Sequence, residues 1–149
     1  MDKDDTISTL NNLIETSRDG EEGFRTSAEH ARDAHLKSLF ANRADSCAQA
    51  VQELQQVVQA QGGKPAQSSS MSGTLHRRWV DFKSAITGQD DVAILNEVER
   101  GEDVAVASYK KALAMDLPSD IRNLVERQFQ GVLKNHDQVK QLRNQFRAQ

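Results

Sequence analysis

Long apolar runs are missing from this 149-residue chain, so no segment reaches the roughly 20 residues needed to cross a bilayer as a helix. Met1-Asp2-Lys3-Asp4-Asp5 lacks the basic and apolar regions of a secretory signal. Together these point to a soluble, cytoplasmic protein. Cysteine is nearly absent: Cys47 is alone, which excludes an intramolecular disulfide, and its place in an apolar stripe makes it a small core filler. Aromatics are 5% of residues and prolines number two, too few turn-formers and large β-formers for a sheet protein. No nucleophile-base-acid set, glycine-rich phosphate loop or cysteine metal motif occurs.

What is present is helical periodicity. Ile7, Leu10, Ile14, Ser17, Glu21, Phe24, Ala28 and Ala31 share one stripe, and Leu95, Val98, Glu102, Ala105, Tyr109 and Ala112 repeat its register. Gly20-Glu21 falls on Gly101-Glu102, so each repeat carries a glutamate where an apolar residue belongs. A second pair of stripes runs through Leu36, Phe40, Arg43, Cys47, Ala50 and Leu54, and through Ile121, Val125, Gln128, Val132, Asn135 and Val139. The pattern predicts four long helices over about 6–33, 35–61, 90–116 and 118–148, each about 40 Å long at 1.5 Å per residue. Asp5 or Thr6 and Asp90-Asp91 are suited to helix starts, Gly62-Gly63 to a helix end and Pro118 to a first turn.

The segment 62–89 is too long for a tight turn. Residues 62–72 are small, polar and expected to be mobile, and a short helix over about 73–87 carries Leu75, Trp79, Phe82 and Ile86 on one side. Such a connection spans the bundle lengthwise and makes the third long helix parallel to the second. The expected fold is therefore an all-α, single-domain, up-down-down-up four-helix bundle of ferritin-like architecture over 1–149. Leu75, Trp79, Phe82 and Ile86 either lie on the bundle or form an interaction face for another subunit.

The runs Leu13-Ile14-Glu15, Asp19-Gly20-Glu21-Glu22-Gly23-Phe24, Leu75-His76-Arg77-Arg78-Trp79 with Lys83 and Ser84, and Glu99-Arg100-Gly101-Glu102-Asp103 resemble an uncharacterised bacterial family of ferritin-like four-helix-bundle proteins. The resemblance spans nearly the whole chain and implies the fold. It implies no activity.

A di-metal carboxylate bundle needs single glutamates from two helices and a Glu-x-x-His pair from each of the other two. Glu21 and Glu102 supply the single glutamates, but Arg43 and Gln128 stand where further ligands are expected, and Glu126 and His136 are too far apart for one motif. A guanidinium repels a divalent cation and offers a carboxylate two parallel hydrogen bonds. The expectation is a buried polar tier of Glu21, Arg43, Glu102 and Gln128 that needs no cofactor. The competing reading is a reduced site for iron or manganese on Glu21, Glu102 and His136. A third is that both glutamates are solvated, since Gly20, Gly23 and Gly101 blur the apolar face. The acidic overall charge argues against nucleic acid as a partner, and His76-Arg77-Arg78 opposes an apolar stripe as on a surface helix. The function expected is non-enzymatic, through self-association or an unidentified protein partner. A degenerate metal-binding or oxidase bundle is the alternative.

Overall fold

The computed structural model describes residues 2–66 and 73–148. Five helices follow one another: α1 (Lys3–His30), α2 (Ala34–Ala60), α3 (Gly73–Ile86), α4 (Asp91–Leu113) and α5 (Ser119–Arg147). Side chains of α3 are described from Val80 onward, so the expectations for Leu75 and Trp79, and that of mobility beyond 66, lie outside the described residues. Among the described residues no helix is long and apolar enough to cross a membrane.

Aspartates set three of the starts. Asp2, Asp33 and Asp90 accept hydrogen bonds from the amides of Asp5, Leu36 and Ala93, satisfying N–H groups that have no partner within the helix. α1 thus begins ahead of the expected Asp5 or Thr6 cap, and Thr6 is instead buried, its hydroxyl donating to the Asp2 carbonyl. Between α1 and α2 the Arg32 and Asp33 amides donate to the two oxygens of the Asp91 carboxylate at 2.8 and 3.0 Å, tying the first hairpin to the start of α4. Gly62 ends α2 with a φ of 82°, the left-handed conformation that a side chain disfavours. α4 stops at Leu113, short of the expected 116. There the Arg122 guanidinium donates to the Leu113 and Met115 carbonyls, and Leu117 turns inward.

Side-chain contacts give the topology. Phe24 meets Phe40, with ring centroids 6.2 Å apart, whereas Gly20 lies against Cys47 and Gly63, just past α2, against Ile7, so α1 and α2 are antiparallel. Tyr109 meets Gln128 and Asp103 meets His136, so α4 and α5 are too. Thr16 meets Ser108, whereas Arg32 meets Asp91, which sets α4 antiparallel to α1 and parallel to α2. This is the up-down-down-up order of a ferritin-like bundle. α3 lies across α1 and α4, whereas α2 touches α5 sparingly.

The core has two apolar ends. One gathers Leu10, Leu13, Ile14, Leu54, Val58, Ile121 and Val125, and the other Leu36, Phe40, Ile94, Leu95, Val98 and Ile86. Ile86 is fully buried within its own chain and Phe82 packs against the same cluster. These two are therefore not free to form the interaction face proposed from sequence, because burying them closes the end of the bundle that α3 caps. Ile86→Ala should cost about 2–5 kcal/mol, read from urea unfolding, since it empties a fully enclosed site. A loss no larger than that of an exposed valine would mean α3 does not seal the core.

Candidate functional site

Between the two apolar ends the interior narrows to small side chains and becomes polar. Gly20 brings α1 close to α2: a Cβ there would sit 3.2 Å from the Cys47 Sγ. A cavity of about 830 Å³ opens at this level, with α1, α2, α4 and α5 all contributing to its wall. Burial pushes the Cys47 thiol up to about 11, the behaviour of a packed filler rather than a nucleophile.

Glu102 is the centre of this region. It is 5% exposed, and its Oε2 accepts a hydrogen bond from Asn135 Nδ2, while Oε1 has no hydrogen-bond partner among the described residues. Burial pushes its carboxyl up to about 7. The Asn135 hydrogen bond and the charges of Arg43 and His136 work against that rise, and Asp103 adds to it.

The other tier residues go elsewhere. Glu21, 28% exposed, takes two hydrogen bonds from Arg25 one turn along its own helix, at 3.1 and 3.2 Å, and Arg25 also reaches Asp45. Arg43 lays its guanidinium 5.7 Å from the centroid of the Phe24 ring, and its buried Nε has no hydrogen-bond partner among the described residues. The hydrogen bond expected from Arg43 to Glu21 or Glu102 is absent from the described contacts. Arg25 is the nearer partner for Glu21, and Asn135 lies directly across from Glu102. Arg43 therefore acts on Glu102 through its charge alone.

Gln128 belongs to a second polar group nearer the first apolar end. Its Oε1 accepts from the Tyr109 hydroxyl at 2.8 Å and its Nε2 donates to Glu53 at 3.1 Å, with Glu53 paired to Arg127 at 2.8 Å. Burial pushes the Tyr109 hydroxyl up to about 12, so it stays a donor. Asn135 and Glu53 are the participants that sequence reasoning did not assign. Asn135 was visible as a second amide in the α5 stripe, but Glu53 sits off the α2 stripe and only the approach of α5 recruits it.

His136, the remaining metal candidate, bonds Asp103 at 2.7 Å on the outer side of Glu102. Among the described residues no three His, Cys, Asp or Glu side chains converge as metal ligands. An amide, a guanidinium and an outward imidazole surround Glu102 where a di-metal centre would need carboxylates and imidazoles, so the residues here do not fit a pair of metal ions.

Two outcomes follow from these placements. Glu102 binds its proton more tightly folded than unfolded, so its contribution favours folding fully below about pH 4.5 and is lost as pH rises through about 7, a swing on the order of 3 kcal/mol. Glu102→Gln should accordingly flatten this part of the pH dependence of the unfolding free energy and gain most over the parent above pH 7; an unchanged slope would mean Glu102 is solvated. Glu21→Gln should shift stability by less than about 1 kcal/mol, because its partner Arg25 is half-exposed. A loss several times larger in chemical denaturation would restore Glu21 to the buried tier.

The structure is similar to several solved proteins, including the following three. A two-domain protein from Anabaena variabilis containing DJ-1/ThiJ/PfpI-like and ferritin-like domains matches with a TM-score of 0.80 and 19% identity, over 97% of this chain and 40% of that one. This chain thus spans well under half of that protein's length. A dodecameric thioferritin, the bacterioferritin-related protein of Bacteroides fragilis, matches at 0.79 and 16% identity, over 99% of this chain and 89% of that one. The DPS protein of Vibrio cholerae O1, described as a member of a broad superfamily of ferritin-like diiron-carboxylate proteins, matches at 0.76 and 13%, over 94% and 89%. At these identities the likeness shows the ferritin-like fold alone. No curated protein is similar by sequence. Residues 5–115 match the family described as Domain of unknown function (DUF2383), and the chain belongs to that family.

Proposed function

We infer that this chain is a non-enzymatic ferritin-like bundle that acts through self-association or contact with a protein partner, its middle level held by hydrogen bonds and ion pairs where relatives of the fold hold metal. The observation that carries this reading is the partnering of Glu102 and Glu21 by Asn135 and Arg25, with Arg43 beside them. An amide donor and a fixed positive charge serve a lone carboxylate and disfavour a divalent cation. Self-association is supported by the dodecameric state stated for the Bacteroides fragilis relative.

One observation favours the second reading, a reduced iron or manganese site: the Glu102 Oε1 without a hydrogen-bond partner is a carboxylate oxygen a cation could use. The two separate cleanly by experiment. Protein purified without chelator should carry metal well below one ion per chain, and should not speed the oxidation of added ferrous iron over buffer. Stoichiometric iron or manganese, or accelerated oxidation lost in Glu102→Gln, would replace the first reading with the second. Sedimentation of the parent should give a multimer, and a monomer at high concentration would remove self-association.

A further inference from the structure

Inward-facing apolar surface at the middle of the bundle is left without protein against it. Cys47 and Ala50 on α2, Ala105 on α4 and Val132 on α5 continue stripes that are fully buried at Leu54, Leu95 and Val125, yet all four are only half-buried, because they line the cavity of about 830 Å³. Buried Phe24 and Val98 extend the same wall. Native interiors are close-packed and hold few voids larger than a water molecule, so a space of this size between apolar walls calls for a further apolar group. The volume lies in the range of pockets that enclose organic ligands. The polar side chains along the wall are matched to one another: Tyr109 donates to Gln128, Gln128 and Arg127 donate to Glu53, Thr16 donates to Ser108, and Asp103 meets His136. Groups paired in this way give little hold to a charged ligand or to water, which needs about three hydrogen bonds to stay in an interior. The Glu102 Oε1 and Arg43 Nε that lack partners have no surface open to the space, so neither sets the sign of what enters it.

The openings select by size. Between α2 and α5, which touch sparingly, exposed Ser46 and Gln49 stand at the rim and the Arg127–Glu53 ion pair crosses it at 2.8 Å. Between α1 and α4 the Thr16–Ser108 hydrogen bond bridges the helices at 3.4 Å. A helix of another chain is about 10 Å across and does not pass such bridges, whereas a flat or chain-like molecule does. We propose that the cavity is a binding site for a neutral, hydrocarbon-rich small molecule, which enters between α2 and α5 and lies along Phe24, Val98, Ala105 and Val132. The driving force is the apolar area removed from water on the ligand and on the wall. A charge on the ligand opposes entry, since it would lose its hydration without gaining a partner. This adds a ligand to the self-association reading and does not rest on it.

The test is fluorescence titration of the full chain with N-phenylnaphthylamine, a neutral probe that brightens in apolar surroundings, beside anilinonaphthalenesulfonate, the same skeleton with a negative charge. The neutral probe should bind saturably, and about tenfold or more tightly than the sulfonate. It should also raise the unfolding midpoint, because it binds the folded chain alone. Ala105→Phe and Val132→Trp place a ring in the cavity from two different helices. Each should weaken the neutral probe by about tenfold or more while the thermal melt stays cooperative. Met115→Gln, at an exposed position away from the cavity, should leave binding unchanged. Independently of any variant, decanol should displace the probe at concentrations where decanoate and decylammonium do not. The absence of saturable binding of the neutral probe to the parent would overturn the proposal, as would equal or tighter binding of the sulfonate, or displacement by decanoate or decylammonium as effective as by decanol. Undiminished binding in folded Ala105→Phe and Val132→Trp would place the probe on an outer surface or between copies and overturn it too. These readouts use no metal, so the fate of the metal-free reading does not decide them.

Discussion

A carboxylate enclosed by apolar helices must either find a partner or keep its proton, and Glu102 does some of each. Its position forces much of what surrounds it. Asn135 is buried on α5 because Glu102 needs a donor there, and Arg43 is drawn inside α2, its guanidinium resting on Phe24, where its charge favours ionised Glu102. The apolar core cannot be continuous through that level. It divides into an end built on Leu10, Ile14, Leu54 and Val125 and an end built on Phe40, Leu36, Ile94 and Ile86. The polar level between them carries the cavity.

The two polar groups at this level differ in kind. Tyr109, Gln128, Glu53 and Arg127 form a chain in which each donor meets an acceptor, running from the interior to the surface between α4, α5 and α2. Such a closed network fixes a unique arrangement of helices. The Glu102 group is left open, with a Glu102 carboxylate oxygen, the Asn135 amide oxygen and the Arg43 Nε unmatched among the described residues. The likeness in fold to ferritin-like proteins brings no chemistry with it, because chemistry resides in particular side chains and not in the fold.

Much of the architecture was legible in the sequence. The heptad-like stripes of Ile7 to Ala31 and Leu95 to Ala112 specify long amphipathic helices, and Asp90 and Gly62 mark ends where the backbone needs a donor's partner or a left-handed turn. The length of the connection between α2 and α4 sufficed to make those helices parallel. The site was legible only in part. Glu102 and Gln128 stood out because polar residues broke an apolar stripe, and both are buried. Glu21 broke the same stripe yet lies at the margin, because Arg25 one turn away pulls its carboxylate toward the surface.

By itself the sequence determined the number, order and direction of the helices and the presence of buried polar residues at their middle. These follow from local periodicity and from how far a connection can reach, both of which are properties of the chain read along its length. Only the tertiary structure decided which polar group meets which. The choice of Asn135 rather than Arg43 for Glu102, and of Glu53 for Gln128, depends on the rotation of each helix about its own axis and on the spacing between α2 and α5. A stripe that spans a wide angle of a helix leaves that rotation open, and packing of two separate apolar ends fixes it.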